Sequence, residues 1–200
     1  MSLVSIFSLA IALFVLAATP GPGVFATISR SLASGFIPSL SVIAGIVTGD
    51  IIFLLFAIMG MSFIAQAMGN FFIVVKIIGA AYLIFLGIKI WKSKPVPVQQ
   101  VKRGTKNKYG NYLSGLVITL SNPKVILFYC GFLPSVLELS HLGSIDICIV
   151  AFTISIVLSS VLTFYAYLAS QARMFFSSPY SVKRLNRTAG MVMIATGVAI

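Results

Sequence analysis

Acidic residues, cysteine, histidine and tryptophan are all scarce in this sequence. Its 200 residues hold three Asp+Glu, two Cys, one His and one Trp. The cysteines, Cys130 and Cys148, lie in or beside apolar stretches, with no Cys-x-x-Cys and no Cys/His group at metal-ligand spacing. They read as small apolar residues in helix packing. There is no nucleophile–base pair and no glycine-rich phosphate cradle, so the pattern gives no enzyme class, metal or cofactor. Charge is thin as well: 8% of residues are charged, against roughly 25% in soluble domains. No soluble domain is left over. Lys and Arg are absent before the first apolar run, Leu3 to Ala18, which argues against a cleaved signal peptide despite the small Ala17-Ala18 pair.

What the chain has in abundance is apolar sequence, 59% of all residues. Runs of about 20 apolar residues fit the roughly 30 Å hydrocarbon core of a bilayer, and six such segments can be drawn. They run from about Leu3 to Ser29, Ile37 to Ala65, Phe71 to Trp91, Tyr112 to Val136, Ile145 to Ala169 and Thr188 to Ile200. The expected fold class is therefore an all-α integral membrane protein with six transmembrane helices and one membrane domain over residues 1–200. The last segment is short. Thirteen residues reach only about 20 Å at 1.5 Å each. A start near Leu185 lengthens it, and the missing polar tail after Ile200 suggests that a few residues follow.

The 14 Lys+Arg could point to nucleic acid, but they gather mostly in two short links. Lys89, Lys92, Lys94, Lys102, Arg103, Lys106 and Lys108 surround the link between segments three and four. Arg173, Lys183, Arg184 and Arg187 lie between five and six, and Arg30 follows segment one. The link Gln66 to Asn70 has no charge, and the link between four and five carries Glu138, His141 and Asp146 without Lys or Arg. Positive loops remain cytoplasmic, so both termini are expected outside. Trp91 and Tyr109 flank the basic link as interface anchors, and His141 reads as a solvated loop residue. Pro95, Pro97 and Gly104 make residues 92–110 a connector between two three-helix halves, 1–91 and 111–200. The halves have opposite orientation, an inverted repeat of the kind common in transporters.

Thr19-Pro20-Gly21-Pro22-Gly23 interrupts segment one. Proline removes a backbone donor and clashes with the carbonyl four residues earlier. In hydrocarbon such a break must be buried in protein or line a wet cavity. Pro20, Gly21 and Pro22 are therefore candidate binding residues, and Asn122-Pro123-Lys124 interrupts the matching helix of the second half. Asn122 can satisfy a carbonyl freed by Pro123.

Asp50 is the acidic residue near the centre of a segment, where a carboxylate costs about 2.5–3.5 kcal/mol on insertion scales. It is either functional, or paired with a lysine or neutralised for packing. Lys124 lies at the centre of segment four and would recognise a carboxylate, pair with Asp50, or snorkel awkwardly from the midplane. Lys76, about five residues into segment three, either serves the site or snorkels to the outer interface. Gly45 and Gly49 form a Gly-x-x-x-Gly pair that reads as close helix packing.

In order, these pieces resemble one family, the LysE/RhtB amino-acid exporters of bacteria. The matching residues are Thr19-Pro20-Gly21-Pro22, then Gly35, Gly45 and Gly49-Asp50. Next come Lys76-Ile77-Ile78-Gly79 through Leu86-Gly87, and Gly115, Asn122-Pro123-Lys124, Phe128 and Phe132-Leu133-Pro134. Asn186, Gly190 and Gly197 fit more loosely. The resemblance implies an exporter of the bacterial inner membrane, driven by the proton gradient, that moves amino acids or their derivatives outward and acts as a homo-oligomer. Segment five departs from it: Thr153, Ser155, Ser159 and Ser160 stand where relatives often carry an acidic residue. On this reading the cargo is a neutral or hydrophobic amino acid. Amides freed after Pro22 and the Lys124 ammonium would hold its carboxylate, and Asp50 would hold its ammonium or take the coupling proton.

Two other functions within the same superfamily compete. A thiol electron-transfer protein needs a cysteine pair on two helices, and the first half has no cysteine. A metal-ion exporter needs several intramembrane carboxylates or histidines, and Asp50 stands alone near a segment centre. A non-transporting scaffold has no need of intramembrane charge.

Overall fold

The computed structural model of the chain describes residues 2–60, 107–139 and 142–172, with isolated positions between 77 and 92 and between 183 and 198. Among these residues all regular structure is helical. Segment three as a whole, Lys76 with it, His141, and the helical boundaries of segment six lie outside the described residues.

Segment one folds as two helices, α1 (Leu3–Ala18) and α2 (Pro22–Ser34), bent by 58°. Ser2 opens α1, its hydroxyl accepting the Ser5 amide at 3.1 Å. Pro20 closes it, because the residue before a proline is driven out of the helical region. Thr19 accordingly sits at φ −69°, ψ 124°. Pro22 then occupies the first position of α2, where a missing N–H costs nothing. Arg30, expected just after the segment, lies inside α2 and is partly buried. The reason is that the helix continues through polar Ser29-Arg30-Ser31 to Ser34 before Gly35 ends it. Gly35 has φ 91°, a left-handed conformation open to glycine, and turns the chain into α3 (Phe36–Ile58).

Segment four repeats the device. Helix α4 (Lys108–Leu120) stops before Asn122, which takes φ −84°, ψ 108° because Pro123 follows. A short helix α5 (Pro123–Leu127) restarts the segment. It runs into a π-helical turn, Phe128–Phe132, and a last short turn α6 (Leu133–Val136). The bend between α4 and the stretch from Pro123 to Phe132 is 53°. Helix α7 (Ser144–Ala172) follows and contains Asp146 in its first turn, one turn inside where the loop was drawn.

Helices α3 and α7 are each long and apolar enough to cross a bilayer, and each bent pair qualifies as one further span, giving up to four among the described residues. Lipid supplies no hydrophobic drive between helices, so close approach through small residues holds them together. The crossing of α3 and α4 shows this. A Cβ on Gly45 would run into the Tyr112 carbonyl oxygen, one on Gly115 would strike the Val42 carbonyl, and one on Gly49 would meet Thr119 at 2.8 Å. Farther along the chain, Gly87 and Gly190 pack backbone to backbone, a Cβ on Gly190 coming within 2.6 Å of the Gly87 carbonyl.

Helix α7 packs against α1, α2 and α3. Its Ile154 and Leu158 join Leu13, Phe53, Leu54 and Leu133 in one apolar cluster, and its Leu162 and Ala166 join Val24, Ile43 and Ile118 in another. A hydrogen bond from the Ser31 hydroxyl to the Ala166 carbonyl ties α2 to the same helix. The first cluster draws on α1 and the second on α2, and at the break between them Gly21 and Pro22 are buried while Thr19 and Pro20 are exposed.

Candidate functional site

A helix that stops in a membrane leaves carbonyls without partners. At the first break three of them are satisfied by side chains from distant segments. The Lys124 ammonium donates to the Leu16 carbonyl at 2.7 Å and to the Thr19 carbonyl at 2.8 Å. Tyr165 of α7 donates its hydroxyl to the Ala18 carbonyl at 2.8 Å. A cation at a helix C-terminus is also favoured by the helix dipole. The two interruptions are thus adjacent, and Gly21 is part of the fit: a Cβ there would lie 3.3 Å from Lys124 Nζ.

Each sequence-derived candidate has a definite place. Pro20 and Pro22 frame the first break, Pro20 exposed and Pro22 buried, with buried Gly21 between them facing Lys124. Pro123 starts α5. Asn122 differs from expectation, because its side-chain oxygen accepts the Lys124 amide at 3.1 Å. It caps the start of α5 rather than serving a freed carbonyl. Proline removes only its own N–H, so the first amide needing an acceptor in that turn is Lys124's. The Lys124 side chain, expected to recognise a carboxylate or pair with Asp50, gives two donors to backbone carbonyls and keeps Asp50 as an electrostatic neighbour.

Asp50 lies on α3 with 0% exposure, and neither carboxyl oxygen has a hydrogen-bond partner among the described residues. Lys124 and Tyr129 are its electrostatic neighbours. Leaving a charged carboxylate dry and unpaired is among the most expensive arrangements in a protein. The group is therefore either neutral in this state or waiting for a cation.

Two residues were not singled out from the sequence. Tyr165 gives no sign, since a tyrosine in an apolar run reads as packing until its hydroxyl partner is known. Tyr129 had one weak signal, a hydroxyl that buried tyrosines normally satisfy. Tyr129 stacks on Phe53, one turn from Asp50 on α3, with ring centroids 6.0 Å apart. It belongs to the π-helical turn, whose extra residue per turn lets Phe128 and Tyr129 face inward together.

The chain matches the family model described as LysE type translocator over residues 14–200. It is similar to an uncharacterized membrane protein of Synechocystis sp., 37% identical over 97% of this chain and 94% of the relative. It is also similar to the homoserine/homoserine lactone efflux protein of Salmonella typhimurium, 26% identical over 92% of this chain and 90% of that protein. An uncharacterized membrane protein of Vibrio cholerae is 25% identical over 90% and 88%. No solved structure matches. With nearly its whole length matched, and with both helix breaks inside the match, the chain belongs to the LysE type translocator family.

Proposed function

We propose that this protein exports amino acids or close derivatives across the bacterial inner membrane in exchange for protons. Family membership and the efflux function of the Salmonella relatives support the cargo class. The observation that carries the mechanism is Asp50, a carboxyl without a hydrogen-bond partner in a sealed position beside two adjoining helix breaks. One carboxyl that holds either a proton or the substrate's ammonium, but not both, exchanges one for the other.

In this reading the two breaks form the midplane site. Lys124 has three donors; two brace the first break, and the third meets the substrate carboxylate together with the amides that follow Pro22. Pro20, Gly21, Pro22, Asn122 and Pro123 shape the backbone around it, and Lys76 supplies a further positive charge from segment three. The halves form an inverted repeat of three helices each, with both termini periplasmic. The near-equal bends of 58° and 53°, with the long helices α3 and α7 later in each half, support that symmetry. So does the pairing: α3 packs on the broken helix of the second half and α7 on that of the first.

The test is efflux from cells loaded with dipeptides, with native protein and with Asp50→Asn and Lys124→Ala. Export should fall to background in both variants, and an inward proton gradient should speed the native protein alone. Native rates in both variants would remove these residues from the site.

A further inference from the structure

Tyr129, like Asp50, Ser29 and Arg30, has a buried polar atom for which the described residues offer no hydrogen-bond partner. Its hydroxyl is fully enclosed, its residue exposure is 0%, and it interacts with the Asp50 carboxyl, although no hydrogen bond of good geometry joins them. Phe53 stacks on the Tyr129 ring at 6.0 Å and Phe128 meets it edge-on at 5.2 Å, contacts that hold the ring in place.

Three oxygens with no partner of good geometry among the described residues thus lie near one another: Oδ1 and Oδ2 of Asp50, and Oη of Tyr129, which can turn its own proton to the carboxyl and still accept one from a cation. Lys124 is the nearby cation that would fill the gap, and its ammonium is tethered to the carbonyls of Leu16 and Thr19. A primary ammonium carries three N–H donors, one for each oxygen. A tertiary ammonium has one, which a carboxylate oxygen alone satisfies.

We infer that Asp50 and Tyr129 together form a primary-ammonium site that selects cargo with an unsubstituted amine and discriminates against N-alkylated or N-acylated forms. This rests on the exporter reading above and adds to it the chemistry by which cargo is chosen. Tyr129 is a binding residue here, and its effect belongs to affinity rather than to the rate of the transport cycle.

The experiment uses the full-length protein in liposomes. Uptake by counterflow is measured for the twenty amino acids. For any amine transported, its N,N-dimethyl and N-acetyl derivatives are then compared, in native protein and in Tyr129→Phe. The phenylalanine keeps the ring and both aromatic contacts. The native protein should prefer the primary amine over the dimethyl form by tenfold or more, and should not move the N-acetyl form. In Tyr129→Phe the KM for the primary amine should rise about tenfold, the loss of one charge-assisted hydrogen bond. Its maximal rate should be kept, and the KM for the dimethyl form should stay unchanged.

Equal transport of amine and N-acetyl forms by native protein would overturn the inference and leave the exporter reading standing. A selective native protein whose Tyr129→Phe variant is equally selective would assign the recognition to Asp50 alone and also overturn it. If none of the twenty amino acids moves, the exporter reading fails first and this inference with it. Should Tyr129→Phe not fold, the same KM comparison is made in Tyr129→Met, and an unchanged preference for the primary amine there overturns the inference.

Discussion

The ammonium of Lys124 hydrogen-bonds the carbonyl oxygen of Thr19 at 2.8 Å, across 105 residues of sequence. One side chain from the second break therefore closes the end of the first. Each interruption alone would leave buried polar backbone exposed, and each becomes tolerable because the other is there. A lysine near the middle of an apolar segment, costly by itself, offsets its burial by satisfying two carbonyls that nothing else in a membrane would reach.

Replacing Lys124 with methionine keeps the length and removes the donors. The Leu16 and Thr19 carbonyls are then stranded, at a cost of about 1–3 kcal/mol for unsatisfied buried groups. Unfolding of the purified protein in mixed detergent micelles should show that loss. Lys124→Arg, which restores donors, should recover part of it. A Lys124→Met variant as stable as the native protein would mean that the two bonds are not supporting the break.

Tyr165 supports the same helix end through the Ala18 carbonyl. By itself Tyr165→Phe should cost about 0.6 kcal/mol, typical of a side-chain hydrogen bond between membrane helices. Combined with Lys124→Met the losses should not add, because both side chains hold one segment. A double-mutant cycle should return a coupling of at least about 0.5 kcal/mol. Strict additivity would show that the two supports act on independent structures.

Much of this was legible in the sequence, and the reasons are specific. Apolar runs ending at Pro20 and Pro123 announce interrupted helices, since proline acts locally whatever the tertiary context. Gly45 and Gly49 likewise declare a close crossing, which the structure places against α4. What the sequence hid was every partnership made by backbone. Lys124 reads from the sequence as a partner for a carboxylate, and its two bonds to freed carbonyls are added by the fold, because carboxylates are visible in a sequence and freed carbonyls are not. Tyr129 was hidden by the π-helical turn, which changes which residues share a face in a way that a 3.6-residue period does not register. Arg30 and Asp146 both fell inside helices because polar residues near a segment end were read as loop, although helices continue well into the interface.

Glycine substitutions should separate the crossing of α3 and α4 from the rest of the fold. Gly115→Ala and Gly45→Ala place a methyl against main-chain carbonyls that cannot move without parting the helices. Overpacking of this kind costs about 1–3 kcal/mol or more. Gly131→Ala adds a methyl where nothing lies within 4 Å, and Gly23→Ala meets only the tip of Ile46 at 3.4 Å. The amount of monodisperse protein recovered from membranes should drop sharply for the first pair and stay near native for Gly131→Ala. Equal recovery of all these variants would mean that the helices are not in contact at Gly45 and Gly115.

Asp50 should show stability and transport moving in opposite directions. A buried carboxyl with no hydrogen-bond partner among the described residues destabilises the fold that holds it. Asp50→Leu, of similar volume, removes the unsatisfied group and should raise unfolding stability by about 1–3 kcal/mol. Asp50→Asn retains polarity and should change stability less. Both should abolish export, because neither can exchange a proton for an ammonium. Thermal unfolding in detergent and efflux from dipeptide-loaded cells test the two halves of the statement on the same variants. If Asp50→Leu were destabilised, the carboxyl would have to be satisfied by a structural partner, and its role would be to hold helices together. If it were stabilised yet still exported, the carboxyl would be dispensable to the transport cycle. A more stable protein that no longer exports is the result expected of a group kept at a structural cost for the cargo it must bind.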